Sequence, residues 1–160
     1  VIVVPAGEVA AICKHADVAN VGSQREVARA LANLAAAAPN HPRLLDEGGM
    51  ALCMDLVISN SPEVQQQATR ALGNLALAQD DAVPDRLVDE GVLELLVLLA
   101  ASWDEGVQQE AAIALTHFAE RPRYRLAVVQ AGVLSPLLEQ IKSANASVRY
   151  HAALCLMAVQ

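Results

Sequence analysis

The sequence predicts an all-α fold, a solenoid of stacked helices. Three observations carry this: a core alphabet of small aliphatics, helical spacing of apolar residues, and an internal repeat. Of 160 residues, 54% are hydrophobic, yet Trp103, Phe118, Tyr124 and Tyr150 are the only aromatics. Ala (31) and Leu (22) make up a third of the chain. Such residues favour closely packed helices and fill a β-sandwich poorly. Charged residues are 18% of the chain, too few for a disordered polymer of this hydrophobicity. Cys13, Cys53 and Cys155 are too few, and odd in number, for a disulfide scaffold.

The repeat sets the architecture. Segments 23–35, 64–76, 107–119 and 148–160 align, and Ala-Leu-x-Asn-Leu-Ala occurs at 30–35 and again at 71–76. Residues 114–119 follow with His117 in place of Asn, and the last copy is the most degenerate. The equivalent positions Asn33, Asn74, His117 and Ala158 are separated by 41, 43 and 41 residues. Gly7, Gly48, Gly91 and Gly132 keep the same three separations. Two landmarks sharing one period mark a stack of equivalent units, none of which can bury its apolar face alone. Approximate units are 1–39 (partial), 40–80, 81–121 and 122–160, forming a single domain over 1–160.

Within each unit the punctuation predicts three helices. A short amphipathic stretch (41–47, 82–90, 124–131) ends at the Gly, which permits a sharp bend. An apolar helix follows (50–59, 92–101, 133–141), then a polar turn. The third helix carries apolar residues at Val64, Ala68, Ala71, Leu72 and Leu75, one continuous stripe. Ser61-Pro62-Glu63 reads as its start: Ser as cap, Pro in the first turn, Glu at the positive end. Ala68 and Ala111 leave room for a neighbouring helix to come close.

This pattern resembles the armadillo repeat family. The resemblance rests on Asp-Glu-Gly at 46–48 and 89–91, Gln-Ala-Gly at 130–132, and Ala-Leu-x-Asn-Leu-Ala at 30–35 and 71–76. It implies a right-handed superhelix of three-helix units whose third helices line a concave groove. In the family that groove takes an extended peptide, and the repeated Asn bonds its main chain. A carboxamide both donates and accepts, so a ladder of them suits an extended backbone. Carried over, the ladder is Asn33 and Asn74, with His117 a substitute and Ala158 a gap. The remaining groove candidates are Arg25, Arg29, Gln66, Gln67, Arg70, Gln109, Ile113 and Tyr150. Family members that read nuclear localisation signals place Trp four residues before the Asn. Here Arg29 and Arg70 hold those positions and would repel Lys, which disfavours such signals.

The expected function is therefore a protein-interaction module or scaffold that binds an extended partner segment along the groove. Arg29 and Arg70, with Arg25 nearby, suit carboxylates or phosphates, so the expected partner is acidic or phosphorylated. The alternative weighed against this is that these Arg residues pair with Glu26, Gln66 or Gln67 and only solubilise the surface. The alternative function is a regulatory or localising segment of a larger enzyme, such as a ubiquitin ligase or signalling hydrolase. The chain starts without Met and ends inside a helical pattern, which reads as a piece of a longer protein. Its truncated ends would allow end-to-end self-association. No targeting signal is evident, and a cytoplasmic location is expected.

Other chemistries are disfavoured. With 11 basic and 18 acidic residues the net charge is −7, a poor match to nucleic acid or anionic membranes. Apolar runs such as 95–101 are too short to span a bilayer. Asp46-Glu47 and Asp89-Glu90 recur with the repeat, which makes them structural, and Asp80-Asp81 reads as a solvated loop pair. His151 and Cys155 have helical i, i+4 spacing, but two ligands make no metal site. No nucleophile elbow, phosphate loop or dinucleotide fingerprint occurs, so no catalysis, metal or cofactor is expected. Residues 121–125, Arg-Pro-Arg-Tyr-Arg, read as a solvated inter-repeat loop. Trp103 lies in a turn and is read either as packing on the next unit or as an exposed anchor.

Overall fold

The computed structural model describes residues 2–160; Val1, the first residue of the apolar N-terminal segment, lies outside the described residues. Among these residues there is no strand. The elements are α1 (Glu8–His15), α2 (Val21–Ala35), a 3₁₀ turn (Ala38–Asn40), α3 (His41–Asp46), α4 (Gly49–Leu56), α5 (Pro62–Leu75) and α6 (Ala82–Asp89). They continue with α7 (Val92–Ala100), α8 (Glu105–Ala119), α9 (Pro122–Gln130), α10 (Leu134–Gln140) and α11 (Ala146–Ala158). Two compact units form, Val1–Asp85 and Arg86–Gln160. The expected three-helix rhythm is present, with the first repeat reduced to α1 and α2.

In the first unit α2 lies against α5, and α4 packs on both. Ala28, Leu31 and Ala32 of α2, and Ala68, Ala71 and Leu72 of α5, are completely buried. Ala at these positions lets the helix axes approach, while each buried Leu contributes about 2 kcal/mol of transfer free energy. In the second unit α8 lies against α7 and α11, with Ala111, Ala112, Leu115, Val148, Ala152 and Cys155 equally buried. Phe118 is fully buried and meets Tyr124 edge-on, with centroids 5.8 Å apart.

Gly48 bends the chain between α3 and α4 at φ +89°, the left-handed region that side chains disfavour. Gly7, Gly91 and Gly132 adopt φ between +84° and +96° at the equivalent positions. Repeat-equivalent side chains also close the helix ends. His41 Nε2 lies 2.6 Å from the Ala35 carbonyl, and Arg125 Nε donates to the Ala119 carbonyl at 2.9 Å. Both satisfy acceptors that the third helix leaves open at its C-terminus.

Two local expectations are corrected. Ser61 occupies the cap position of α5, but its side chain caps nothing; its own amide donates to Ser59 Oγ at 3.2 Å. Side-chain caps occur instead at Asn20, Asp104 and Asn145, where a planar acceptor reaches the next turn's amides. Residues 121–125 are not a solvated loop: Pro122 opens α9, Tyr124 is buried, and the Arg123 guanidinium sits 5.1 Å from its ring centroid. Asp80 and Asp81 lie exposed in the loop before α6, as expected, and Asp80 accepts the Ala82 amide at 3.0 Å.

Gly49 has no room for a side chain: a Cβ would stand 2.7 Å from Leu44 Cδ2, 3.0 Å from Val9 Cγ1 and 3.2 Å from the Leu44 carbonyl. Gly49→Ala should destabilise the protein by about 1–3 kcal/mol through overpacking, read as a lower urea midpoint with unchanged slope.

Candidate functional site

In the first unit the repeat brings two of the expected rungs together. Arg25, Arg29 and Asn33 are four apart on α2, and Gln66, Arg70 and Asn74 keep the same spacing on α5, so each trio shares a helix face. Arg70 Nη2 donates to Asn33 Oδ1 at 3.3 Å, and Asn74 Nδ2 donates to the Ala32 carbonyl at 3.3 Å. Asn33 is exposed, while Gln66, Gln67, Arg70 and Asn74 are half-buried. Gln67 Oε1 is buried without a partner.

The electrostatics of this face turn on a residue the sequence reading did not place there. Glu63 bridges Arg25 (Nε to Oε2, 3.0 Å) and Arg29 (Nη2 to Oε1, 3.3 Å). Glu63 precedes Arg70 by seven residues, the spacing that marks a shared helix face. Arg29 also approaches Glu26 at 3.9 Å. The expected pairing of Arg29 with Glu26 is thus present, but Arg70 engages Asn33 and not Gln66 or Gln67. Three guanidiniums face two carboxylates. These pairs are roughly half exposed, so each contributes on the order of 0.5 kcal/mol and a stronger anion can displace it.

The equivalent face of the second unit has different chemistry. Gln109 Oε1 accepts from Ser147 Oγ at 2.7 Å, which joins α8 to α11. Ile113 stands half-buried where α5 has Arg70, and His117 is half-buried in the last turn of α8. Tyr150 is 60% exposed and meets His151 edge-on at 5.1 Å between centroids. No arginine from the set of groove candidates lies on this face.

Trp103 is settled as exposed, at 83%. Burial pushes the Cys53 thiol up to about 12 and the Cys155 thiol up to about 11. Both therefore stay protonated and unreactive at neutral pH. The two Asp-Glu pairs diverge. Glu90 pairs with Arg86 at 2.8 Å, whereas the Glu47 carboxylate accepts the Gly7 amide at 3.0 Å and the Ala10 amide at 3.1 Å. Glu47 thereby holds the N-terminus of α1, a helix of the preceding repeat.

A sequence profile described as Armadillo/beta-catenin-like repeat matches residues 40–77 and 121–156. Both segments are armadillo repeats. Similar solved structures include an engineered protein, 34% identical over 95% of this chain and 62% of its own, with a TM-score of 0.87. A designed armadillo repeat protein in complex with the peptide (KR)4 is 26% identical over 96% of this chain and 65% of its own, with a TM-score of 0.88. A third structure, of computationally designed armadillo repeat proteins for modular peptide recognition, is 26% identical over 95% of this chain and 64% of its own, with a TM-score of 0.87. The armadillo chain spans less than two thirds of the length of each. No curated protein matches it. Its fold is that of the all-α armadillo solenoid, and no helix among the described residues is long and apolar enough to cross a membrane.

The two amide bonds lower the pKa of Glu47 below the usual carboxylate value. Its contribution to holding α1 is complete above that usual value and is lost as pH falls through the depressed one. Hydrogen exchange at the Gly7 and Ala10 amides, corrected for its intrinsic pH dependence, should therefore quicken on acidification across that window. Glu47→Gln should quicken it already at neutral pH; exchange unchanged in both cases would remove this role.

Proposed function

We propose that this armadillo chain is a protein-interaction module that receives an extended, acidic or phosphorylated segment of a partner on the α2–α5 face. The supporting observation is the pairing of α2 with α5, which sets Asn33 and Asn74 one repeat apart beside Arg25, Arg29 and Arg70. Asn33 Oδ1 and Asn74 Nδ2 have intramolecular partners, while the other half of each carboxamide is open to a peptide main chain. The designed armadillo protein in complex with (KR)4 supports the mode of binding, though not this charge preference. The guanidiniums supply the preference, because each offers a planar donor fork to a carboxylate or phosphate. Glu63 competes with that ligand for Arg25 and Arg29, so binding is an exchange of one weak internal anion for a stronger external one. Gln109, Ile113, His117 and Tyr150 would extend contact through apolar and neutral groups on the second unit's own face. Three unpaired thiols fit a reducing, cytoplasmic setting.

Binding of a fluorescein-labelled, phosphoserine-containing acidic peptide, followed by anisotropy, tests this. Joint replacement Arg29→Glu and Arg70→Glu should weaken binding by more than about tenfold while shifting the thermal midpoint by only a few degrees, because the lost pairs are exposed. Glu63→Gln should tighten binding severalfold. Asn33→Ala with Asn74→Ala should weaken acidic and neutral extended peptides alike. An affinity indifferent to the Arg pair would discard the charge preference.

A further inference from the structure

Away from the α2–α5 face, the second unit carries a cavity of about 500 Å³ between the α7–α8 turn and the end of α10. Its chemistry comes from Trp103, Glu105, Gln108, Glu139 and Gln140. The Trp103 indole is exposed on a turn that is fixed on every side. Ser102 Oγ accepts the Asp104 amide at 3.1 Å, Asp104 caps the Val107 amide at 2.9 Å, and Gln108 Nε2 donates to the Ser102 carbonyl. A large aromatic held rigidly in water is a ready contact for a ligand.

The polar lining is rich in acceptors. Glu105 Oε2 accepts from Asn145 Nδ2 at 2.7 Å. Glu139 pairs with the exposed Lys142 at 3.0 Å. Gln140 is 96% buried, since 4% of it is exposed; its Nε2 is spent on the Ala100 carbonyl at 2.6 Å. Its Oε1 is buried with no partner, which is costly unless a donor arrives. Arg149, the other cation nearby, is tied to the Ser143 and Ala144 carbonyls and does not line the cavity.

The same slot exists 84 residues earlier in the first unit, with a volume of about 550 Å³. There Ala19 stands for Trp103, Val21 for Glu105, Asp55 for Glu139 and Leu56 for Gln140. The repeat geometry makes the slot, so its shape alone implies nothing. Of the two slots, that of the second unit alone is lined by the aromatic, a second carboxylate and a residue with an unpartnered amide oxygen.

We propose that this slot binds an arginine side chain presented by a partner polypeptide. A guanidinium brings a flat face to the indole and a fork of donors to the two carboxylates. An anion would meet Glu105 and Glu139, and an apolar side chain would leave the acceptors unpaired. This site is separate from the α2–α5 face and does not depend on the function proposed for it.

Trp103 is the only Trp, so intrinsic emission reports on this slot directly. Titration with acetyl-Gly-Arg-Gly-amide at low salt should give a saturable emission change. The citrulline analogue, which keeps the shape without the charge, should bind about tenfold more weakly. Glu105→Gln combined with Glu139→Gln should reduce arginine binding to the citrulline level, and Lys142→Met should tighten it by freeing Glu139. Arg29→Glu with Arg70→Glu should leave the titration unchanged. Calorimetric binding of the arginine peptide that survives Trp103→Ala undiminished would overturn the proposal. So would equal responses to arginine and citrulline, an equal response to acetyl-Gly-Leu-Gly-amide, or no saturable change at all. Emission that shifts with protein concentration alone would assign the slot to a second copy of the chain and likewise overturn it.

Discussion

Everything else in this molecule depends on the close approach of equivalent third helices. Ala28 and Ala32 on α2, and Ala68 and Ala71 on α5, are wholly buried, and their small side chains let two helices share one core. That constraint fixes rotation about each helix axis. Once the alanine side is committed inward, Arg29 and Asn33 on α2, and Arg70 and Asn74 on α5, have nowhere to go but the opposite face. The same logic holds in the second unit for Ala111, Ala112 and Ala152. The candidate binding face is thus the geometric complement of the core.

That face is not an open row of ligands. Glu63 holds two of its three guanidiniums, and Asn33 holds the third. Exposed pairs of this kind contribute little to stability, so their presence is better understood through what they prevent. They keep like charges from repelling along α2 and set the Arg side chains in defined positions before any ligand comes. The cost is competition, which makes an incoming group with more charge than one carboxylate the natural occupant.

Much of this was legible in the residues. The spacings of Gly48, Gly91 and Gly132 and of Asn33, Asn74 and His117 placed the bends and the third helices, because backbone conformation and helix-face periodicity are local properties. Less legible was anything that reaches across repeats. Glu47 looked like a structural mark of its own repeat and instead holds α1 of the one before; Glu63 looked like a helix-start residue and also serves two arginines on α2. Residues 121–125 looked like loop because three arginines dominate the pattern, yet the buried Tyr124 decides their place. In each case a charged side chain was read by its sequence neighbours, while its partner stands some 40 residues away or in the core.

Repetition and divergence consequently do different work here. The repeat supplies like sites in each unit: a face where α2 meets α5 and where α8 meets α11, and a slot beside one turn of each. Chemistry enters where copies differ, as Arg70 against Ile113 on the faces and Ala19 against Trp103 in the slots. These differing positions are half-buried or exposed, except Gln140, so they change without disturbing the alanine contacts that define the stack. Gln140 is the informative exception. It replaces the buried Leu56 of the equivalent slot, recovers one hydrogen bond at Ala100, and leaves an acceptor unpaired. A buried amide with one bond made and one open is harder to explain by packing than by a donor that comes from outside.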